Sequence, residues 1–110
     1  MAAHYELKRT ANNQFLFNLK AANGEIILTS ETYGAKESAL KGIESVKTNS
    51  PEDAQYERKV ASSSQPYFLL KAKNHEVIGR SETYSSEGAR EKGIDSVKHN
   101  GPIATINDIS

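Results

Sequence analysis

Large apolar and charged residues alternate along Tyr5 to Arg9, with Tyr5 and Leu7 on one side and Glu6 and Lys8 on the other. That is the period of a half-buried strand. After the polar stretch Thr10 to Asn13, the run Gln14 to Lys20 places Phe15, Phe17 and Leu19 on one face at period two and predicts a second strand. Ala22-Asn23-Gly24-Glu25 carries an Asn-Gly pair that tolerates the positive φ of a tight primed turn, so Ile26 to Thr29 returns as a third strand and completes a hairpin. Beyond Tyr33 the period changes. Ala35, Ala39, Ile43 and Val46, with Leu40 beside them, fall at helical spacing and predict a helix within Gly34 to Asn49. It stops at Asn49-Ser50-Pro51, because Asn accepts the left-handed conformation of a helix end and Pro cannot continue the helix.

The same pattern then recurs. Tyr5 to Pro51 aligns without a gap on Tyr56 to Pro102 at a constant offset of 51, and close to half of the paired positions carry the same residue. An ungapped period makes each copy one folding unit and predicts a pseudo-two-fold axis between the halves. A single copy is marginal in size, and with no cysteine to staple it, each half is expected to complete its core with the other. The expectation is one domain over 1–110 made of two repeats, 5–51 and 56–102. Its fold class is α+β: tandem β-β-β-α units with a further strand, sharing one mainly antiparallel sheet with two helices on one face and strands exchanged between repeats. Asp53 to Val60 reads as one long extended segment, Ile103 to Ile106 as a last short strand, and Asn107 to Ser110 as frayed.

Composition narrows function more than it reveals it. Fourteen basic and fourteen acidic residues leave no net charge, and they divide evenly between the halves, so no molecule-wide field draws in nucleic acid or an acidic membrane. The absence of cysteine removes a thiolate nucleophile and cysteine-ligated zinc, and fits a reducing compartment. With no signal-like or membrane-length apolar run, the default is a cytoplasmic protein. His4, His75 and His99 stand at unrepeated positions without ligand spacing, so no metal or other cofactor is expected.

Repetition also sorts candidate sites, because a site used by both halves survives in both copies. Ser30-Glu31-Thr32-Tyr33 recurs as Ser81-Glu82-Thr83-Tyr84 between the hairpin and the helix. Its hydroxyls and carboxylate suit the orphan amides of a helix start, with Ser85 capping the second helix and Gly34, Ser30 or Thr32 serving the first. That structural reading leads. The functional alternative is a duplicated polar pocket in which Ser30, Glu31, Tyr33, Ser81, Glu82 and Tyr84 meet a ligand. Lys41-Gly42-Ile43 recurs as Lys92-Gly93-Ile94, and a helix-interior glycine kept twice implies a close backbone approach. Lys8, Arg9, Phe15, Phe17 and Lys20, matched by Arg58, Lys59, Tyr67, Phe68 and Lys71, interleave rings and cations on the strands, which suits single-stranded nucleic acid if the rings are free. Leu16, Asn18, Tyr67 and Leu69 fall on the opposite face and make it a candidate contact patch.

The paired S-E-T-Y, the K-G-I-[ED]-S-V-K strings and the hairpins Phe17 to Asn23 and Phe68 to Asn74 resemble the YegP-like family of small uncharacterised bacterial proteins. The resemblance implies a three-strand, one-helix, one-strand unit, used in tandem or in paired subunits with exchanged strands, and no known activity. The leading functional expectation is a non-enzymatic binding module, a monomer with an internal pseudo-dimer, whose partner is a protein or small polar ligand. Nucleic-acid binding through the sheet ranks second, and a hydrolase built on Ser30 or Ser81 last.

Overall fold

The computed structural model describes residues 2–110. Strands β1 (His4–Arg9), β2 (Phe15–Lys20) and β3 (Ile26–Thr29) precede helix α1 (Lys36–Asn49), after which a single 3-10 turn at Asp53–Gln55 leads into the second copy. There β4 (Tyr56–Val60), β5 (Pro66–Lys71) and β6 (Val77–Arg80) precede helix α2 (Glu87–Asn100), and β7 (Thr105–Asp108) follows. The fold is mixed α+β. One seven-stranded sheet runs β4-β5-β6-β3-β2-β1-β7, and every neighbouring pair is antiparallel except β1 with β7.

The two repeats join at the centre of the sheet, where β3 lies beside β6, and they interlock through the helices. Helix α1 packs on β2 of its own repeat and on β5 and β6 of the other, while α2 packs on β5 and on β3. The period-two faces explain the choice of side. Tyr5, Leu7, Phe17, Leu19 and Leu28 from one repeat and Phe68, Leu70, Ile94 and Val97 from the other are all buried in one cluster. At about 1.5–3 kcal/mol for each large apolar side chain fully buried, this shared interior is the main stabilising term.

A pair of tyrosines fastens the interlock. Tyr56, in the second repeat, donates its hydroxyl to the Ser50 carbonyl at the end of α1 (2.7 Å), and Tyr5, in the first, donates to the Gly101 carbonyl at the end of α2 (2.6 Å). Burial raises the pKa of both phenols, so they remain donors. Each helix end is thus anchored to the first strand of the other repeat. This explains β7. The chain leaving α1 enters the β4 position directly, whereas the chain leaving α2 arrives where β1 already lies and is placed outside it, parallel to His4–Leu7.

Several local expectations differ from what is found. Asp53 to Val60 is not continuously extended, because Asp53–Gln55 turns before β4 begins. Asn107 and Asp108 belong to β7 rather than to a frayed end. Asp108 accepts from the Ser110 hydroxyl and backbone N–H and pairs with Lys36, which together hold its pKa down to about 2. Neither helix ends on a left-handed Asn: Asn49 and Asn100 remain helical and donate from Nδ2 to the Ser45 and Ser96 carbonyls (2.8 and 2.9 Å), and the caps Ser50 and Gly101 have helical dihedrals.

The hairpin tips also differ in type. Gly24 N–H donates to the Ala21 carbonyl and Ala21 N–H to the Glu25 carbonyl (both 2.9 Å), with positive φ only at Gly24. This is a three-residue loop closed by a left-handed residue, not a primed two-residue turn. His75 takes the same place at φ 71°, although it is not a glycine. Left-handed backbone costs a residue with a Cβ roughly 1–2 kcal/mol, part of which a glycine returns through the entropy of the unfolded chain. His75→Gly is therefore expected to stabilise by about 0.5–1 kcal/mol and Gly24→Ala to destabilise by about 1 kcal/mol, read from urea midpoints. No atom lies within 4 Å of a Cβ built on Gly24, so the second effect reports backbone strain alone.

Candidate paired grooves and an uncovered sheet face

Ser30 and Ser81 serve the sheet and not the helix. Phe17 N–H donates to Ser30 Oγ (2.9 Å), Ser30 N–H donates to the Phe17 carbonyl (2.9 Å), and the Ser30 hydroxyl donates to the Glu31 carbonyl (2.7 Å). Phe68, Ser81 and Glu82 repeat all three bonds at the same lengths. Where the strand turns away, the serine oxygen replaces the next carbonyl of the ladder. Committed in this way, it cannot reach the helix start. Helix α1 accordingly begins at Ala35 with no side-chain cap, and α2 is capped by Ser86, one residue beyond Ser85, whose hydroxyl accepts from Ala89 N–H (3.1 Å).

Tyr33 and Tyr84 explain the repeated helix glycines. The Tyr33 ring stacks on Phe17 and the Tyr84 ring on Phe68, both at 6.3 Å between centroids and within 10° of parallel. Each phenol then lies across the helix of its own repeat, so that a Cβ on Gly42 would come within 2.5 Å of the Tyr33 oxygen, and the Cβ of a residue replacing Gly93 would overlap the Tyr84 oxygen. The close approach read from the sequence is therefore made by a side chain rather than by sheet or helix backbone. Glu31 and Glu82 stand exposed beside these rings.

The far side of the Tyr84 ring faces the other repeat. A groove of about 250 Å³ lies between the β2–β3 hairpin and α2, lined by Asn23, Glu25, Tyr84, Lys92, Gly93 and Ser96 together with Ala21, Ile27 and Ala89. Burial, with Glu82 and Glu25 adding negative charge, raises the Tyr84 pKa; burial, with Glu31 and Glu76, does the same for Tyr33. Helix α1 packs on β6 as α2 packs on β3, so the pseudo-two-fold sets the β5–β6 hairpin toward Tyr33 as the β2–β3 hairpin stands toward Tyr84. Of the six candidate residues, Tyr84 lines the groove and Tyr33 takes the corresponding place by the pseudo-two-fold, Ser30 and Ser81 are held by backbone, and Glu31 and Glu82 are exposed outside the lining. Glu25, Glu76, Lys41 and Lys92 were not singled out as site residues from sequence. Their recurrence at matched positions was the available signal.

No described element covers the sheet face opposite the helices. Strand registers align one row across it: Asn107, Glu6, Asn18, Thr29, Arg80, Leu69 and Glu57. Lys8, Lys20, Lys59 and Lys71 project from the same face, giving five cations against two carboxylates on a chain of zero net charge. Glu6 pairs with Lys20 (3.1 Å) and Glu57 with Lys71 (2.6 Å). Arg80 lies 5.3 Å over the Tyr67 ring and has no carboxylate partner among the described residues. Thr29 is next to it in the row, and Asn18, beyond Thr29, donates from Nδ2 to Thr29 Oγ1 (2.9 Å), while Asn18 Oδ1 is buried with no hydrogen-bond partner among the described residues. Other cations and rings that looked available from sequence are not. Phe17 and Phe68 are wholly buried, Arg9 covers Phe15 at 5.2 Å, and Arg58 is gripped by Glu91 and Asp53.

The family model described as a domain of unknown function, DUF1508, matches the chain twice, over residues 11–57 and 61–108. The chain belongs to the DUF1508 family. Each DUF1508 match begins ahead of a hairpin and runs through the helix into the strand that follows, the segment whose destination differs between β4 and β7. Relatives agree over the full length. A UPF0339 protein of Shewanella oneidensis is 54% identical over 110 residues, covering all of both chains, and the UPF0339 protein YegP of Escherichia coli K12 is 54% identical over 108 residues, covering 98% of each. The solution NMR structure of a UPF0339 protein from S. oneidensis superposes with a TM-score of 0.92 at 55% identity, over 99% of this chain and 92% of that one. That of yegP from E. coli, a protein of unknown function, gives 0.93 at 53% identity, over 99% of this chain and 94% of that one. The DUF1508 relatives bring no assigned activity with them. Among the described residues no three His, Asp or Glu side chains gather as a metal would require, and no helix is long and apolar enough to cross a membrane.

Proposed function

We propose that the protein is a non-enzymatic binding module whose uncovered sheet face receives a carboxylate-rich segment of another protein. The observation that carries this reading is the Arg80 guanidinium at the centre of the row, exposed over the Tyr67 ring without a carboxylate partner among the described residues, on a face where cations outnumber carboxylates five to two. A guanidinium takes a carboxylate in a bidentate fork. The aliphatic surroundings, Leu16 and Leu69 with a single ring already under Arg80, suit a polypeptide better than a file of stacked bases. Against a catalytic role stands the use of both candidate serine hydroxyls in backbone bonds, with no side-chain base hydrogen-bonded to either among the described residues.

Symmetry supports the same surface. The rim pairs Glu6 and Glu57, Lys8 and Lys59, and Lys20 and Lys71 are identical between repeats, yet the central pairs Leu16 and Tyr67, Asn18 and Leu69, and Thr29 and Arg80 all differ. A centre that departs from the two-fold in every pair is a centre used once, so one partner binds per molecule. Fluorescence anisotropy with a labelled polyglutamate peptide is expected to show saturable one-to-one binding, weakened about tenfold or more by Arg80→Glu, roughly 1.4 kcal/mol. Equal affinity of the variant would remove the reading. Tighter binding of a labelled single-stranded oligonucleotide than of polyglutamate would replace it with nucleic-acid recognition.

A further inference from the structure

From the groove at Tyr84 and its pseudo-two-fold counterpart at Tyr33 we infer a second kind of site: each holds one small zwitterion of the free α-amino acid class, so the chain binds two. This does not depend on the reading of the sheet face, because the grooves lie on the helix side and share no residue with the Arg80 row.

Retention between the repeats is the first argument. About half of all positions match at the offset of 51, but among the nine residues lining the groove only Ala89, matched by Ser38, differs. Some of that retention is structural. Asn23 Oδ1 accepts from Glu25 N–H in the turn, Ser96 accepts from Asn100, and Gly93 makes room for the Tyr84 ring. Packing accounts for those residues and their counterparts. It does not account for Glu25 and Glu76 or for Lys92 and Lys41, which are exposed.

The second argument is what those charges leave undone. Several other charges that recur in both repeats are engaged, Lys20 and Lys71 in ion pairs and Lys47 and Lys98 over the rings of Tyr5 and Tyr56 at 5.9 and 5.8 Å, whereas Glu31, Glu82 and Lys59 stand exposed without an ion pair among the described residues and do not line this groove. Glu25, Glu76, Lys41 and Lys92 form no ion pair and no side-chain hydrogen bond among the described residues. Glu25 and Lys92 line one groove from opposite walls, the hairpin and the helix, yet do not pair. The Tyr84 hydroxyl lies in the same groove, also without a hydrogen-bond partner among the described residues. An anion on one wall, a cation on the other and a phenol in the groove match a molecule that carries an ammonium and a carboxylate together. The ammonium meets Glu25, and the carboxylate meets Lys92 and accepts the Tyr84 hydroxyl proton in a hydrogen bond. A volume of about 250 Å³ lies just below the range for drug-sized ligands and suits a single small metabolite.

The test is a titration of the 15N-labelled protein with each of the twenty standard α-amino acids in turn, up to about 10 mM, a range that detects millimolar affinity. The expected result is that at least one shifts the amides of Asn23 to Glu25, Tyr84 and Gly93, and separately those of Asn74 to Glu76, Tyr33 and Gly42, with two molecules bound per chain. For that amino acid, the analogues lacking the carboxylate or lacking the ammonium bind at least about tenfold more weakly, since each loses one charged contact. Lys92→Gln, an exposed change, abolishes the first set of shifts and leaves the second. Tyr84→Phe, which keeps the ring on Phe68, weakens the first set several-fold. The inference is overturned if none of the twenty shifts either set, if an analogue with one charge binds as well as the amino acid, or if Lys92→Gln alters both sets equally.

Discussion

Residues 1–53 produced alone are expected to give no folded monomer. At low concentration the fragment should show the narrow amide dispersion of a disordered chain, and a compact species should appear only where two copies can associate. The reason lies in where α1 makes its contacts. One side of it rests on β2, but the rest is against β5 and β6, and its end is held by the Tyr56 hydroxyl. All of those partners lie beyond residue 53. The fragment would keep Phe17, Leu19, Leu28 and Ile43 as potential core while losing Phe68, Leu70, Ile78 and Ile94 from across the cluster. A chain of this size buries only about 60% of its unfolded surface even when its core is complete, so removal of half the interior leaves the conformational entropy unopposed. The fragment is also self-complementary: in a dimer each β3 could occupy the β6 position of the other copy. Size-exclusion chromatography with light scattering, followed by thermal unfolding at several concentrations, reads this directly. A monomer that melts cooperatively, with a midpoint independent of concentration, would show that one repeat is sufficient.

How much of this was legible depends on what kind of information a residue carries. The strands and helices were, because Tyr5, Leu7, Phe17 and Leu19 mark one face by alternation alone and Ile43 and Val46 mark a helical stripe. The constant offset then made the second copy readable from the first. Destinations were less legible. Nothing in Thr105 to Asp108 says that it pairs in parallel with β1, since that follows from the β1 position being already occupied when the chain leaves α2. Local rules favour helix starts for the hydroxyls of Ser30 and Ser81, but a sheet amide thirteen residues away in sequence is nearer in space. The Arg80 row was invisible for the same reason: it joins residues from seven strands, and only the registers bring Asn18, Thr29 and Arg80 side by side. The recurrence of Glu25 and Lys92 as Glu76 and Lys41 was plain in the sequence. That the two face each other across one groove required the interlocked helices.

Gly101→Ala is expected to destabilise the protein by about 2–3 kcal/mol, a large effect for one methyl group, because the pseudo-two-fold axis passes between the ends of the two helices. A Cβ at Gly101 would come within 2.8 Å of the Ser50 Cβ and 2.8 Å of the Val97 carbonyl oxygen, and would overlap the Ser50 hydroxyl. Ser50 is fully buried, and its hydroxyl has no hydrogen-bond partner among the described residues. The two positions correspond at the offset of 51, yet one is serine and the other glycine, which is what a crowded axis demands: a side chain can come from one repeat but not from both. The change also strains the Tyr5 bond to the Gly101 carbonyl, a buried bond that ties the first strand to the second helix. Overpacking of this kind costs about 1–3 kcal/mol, and loss of a buried hydrogen bond at the same place adds to it. The methyl's helix-favouring effect of about 1 kcal/mol offsets only part of the sum. The double variant Ser50→Gly with Gly101→Ala exchanges which repeat supplies the side chain and should recover most of the loss. Urea denaturation of the two single variants and the double variant gives the coupling, and additive losses would mean that the helix ends do not meet at the axis.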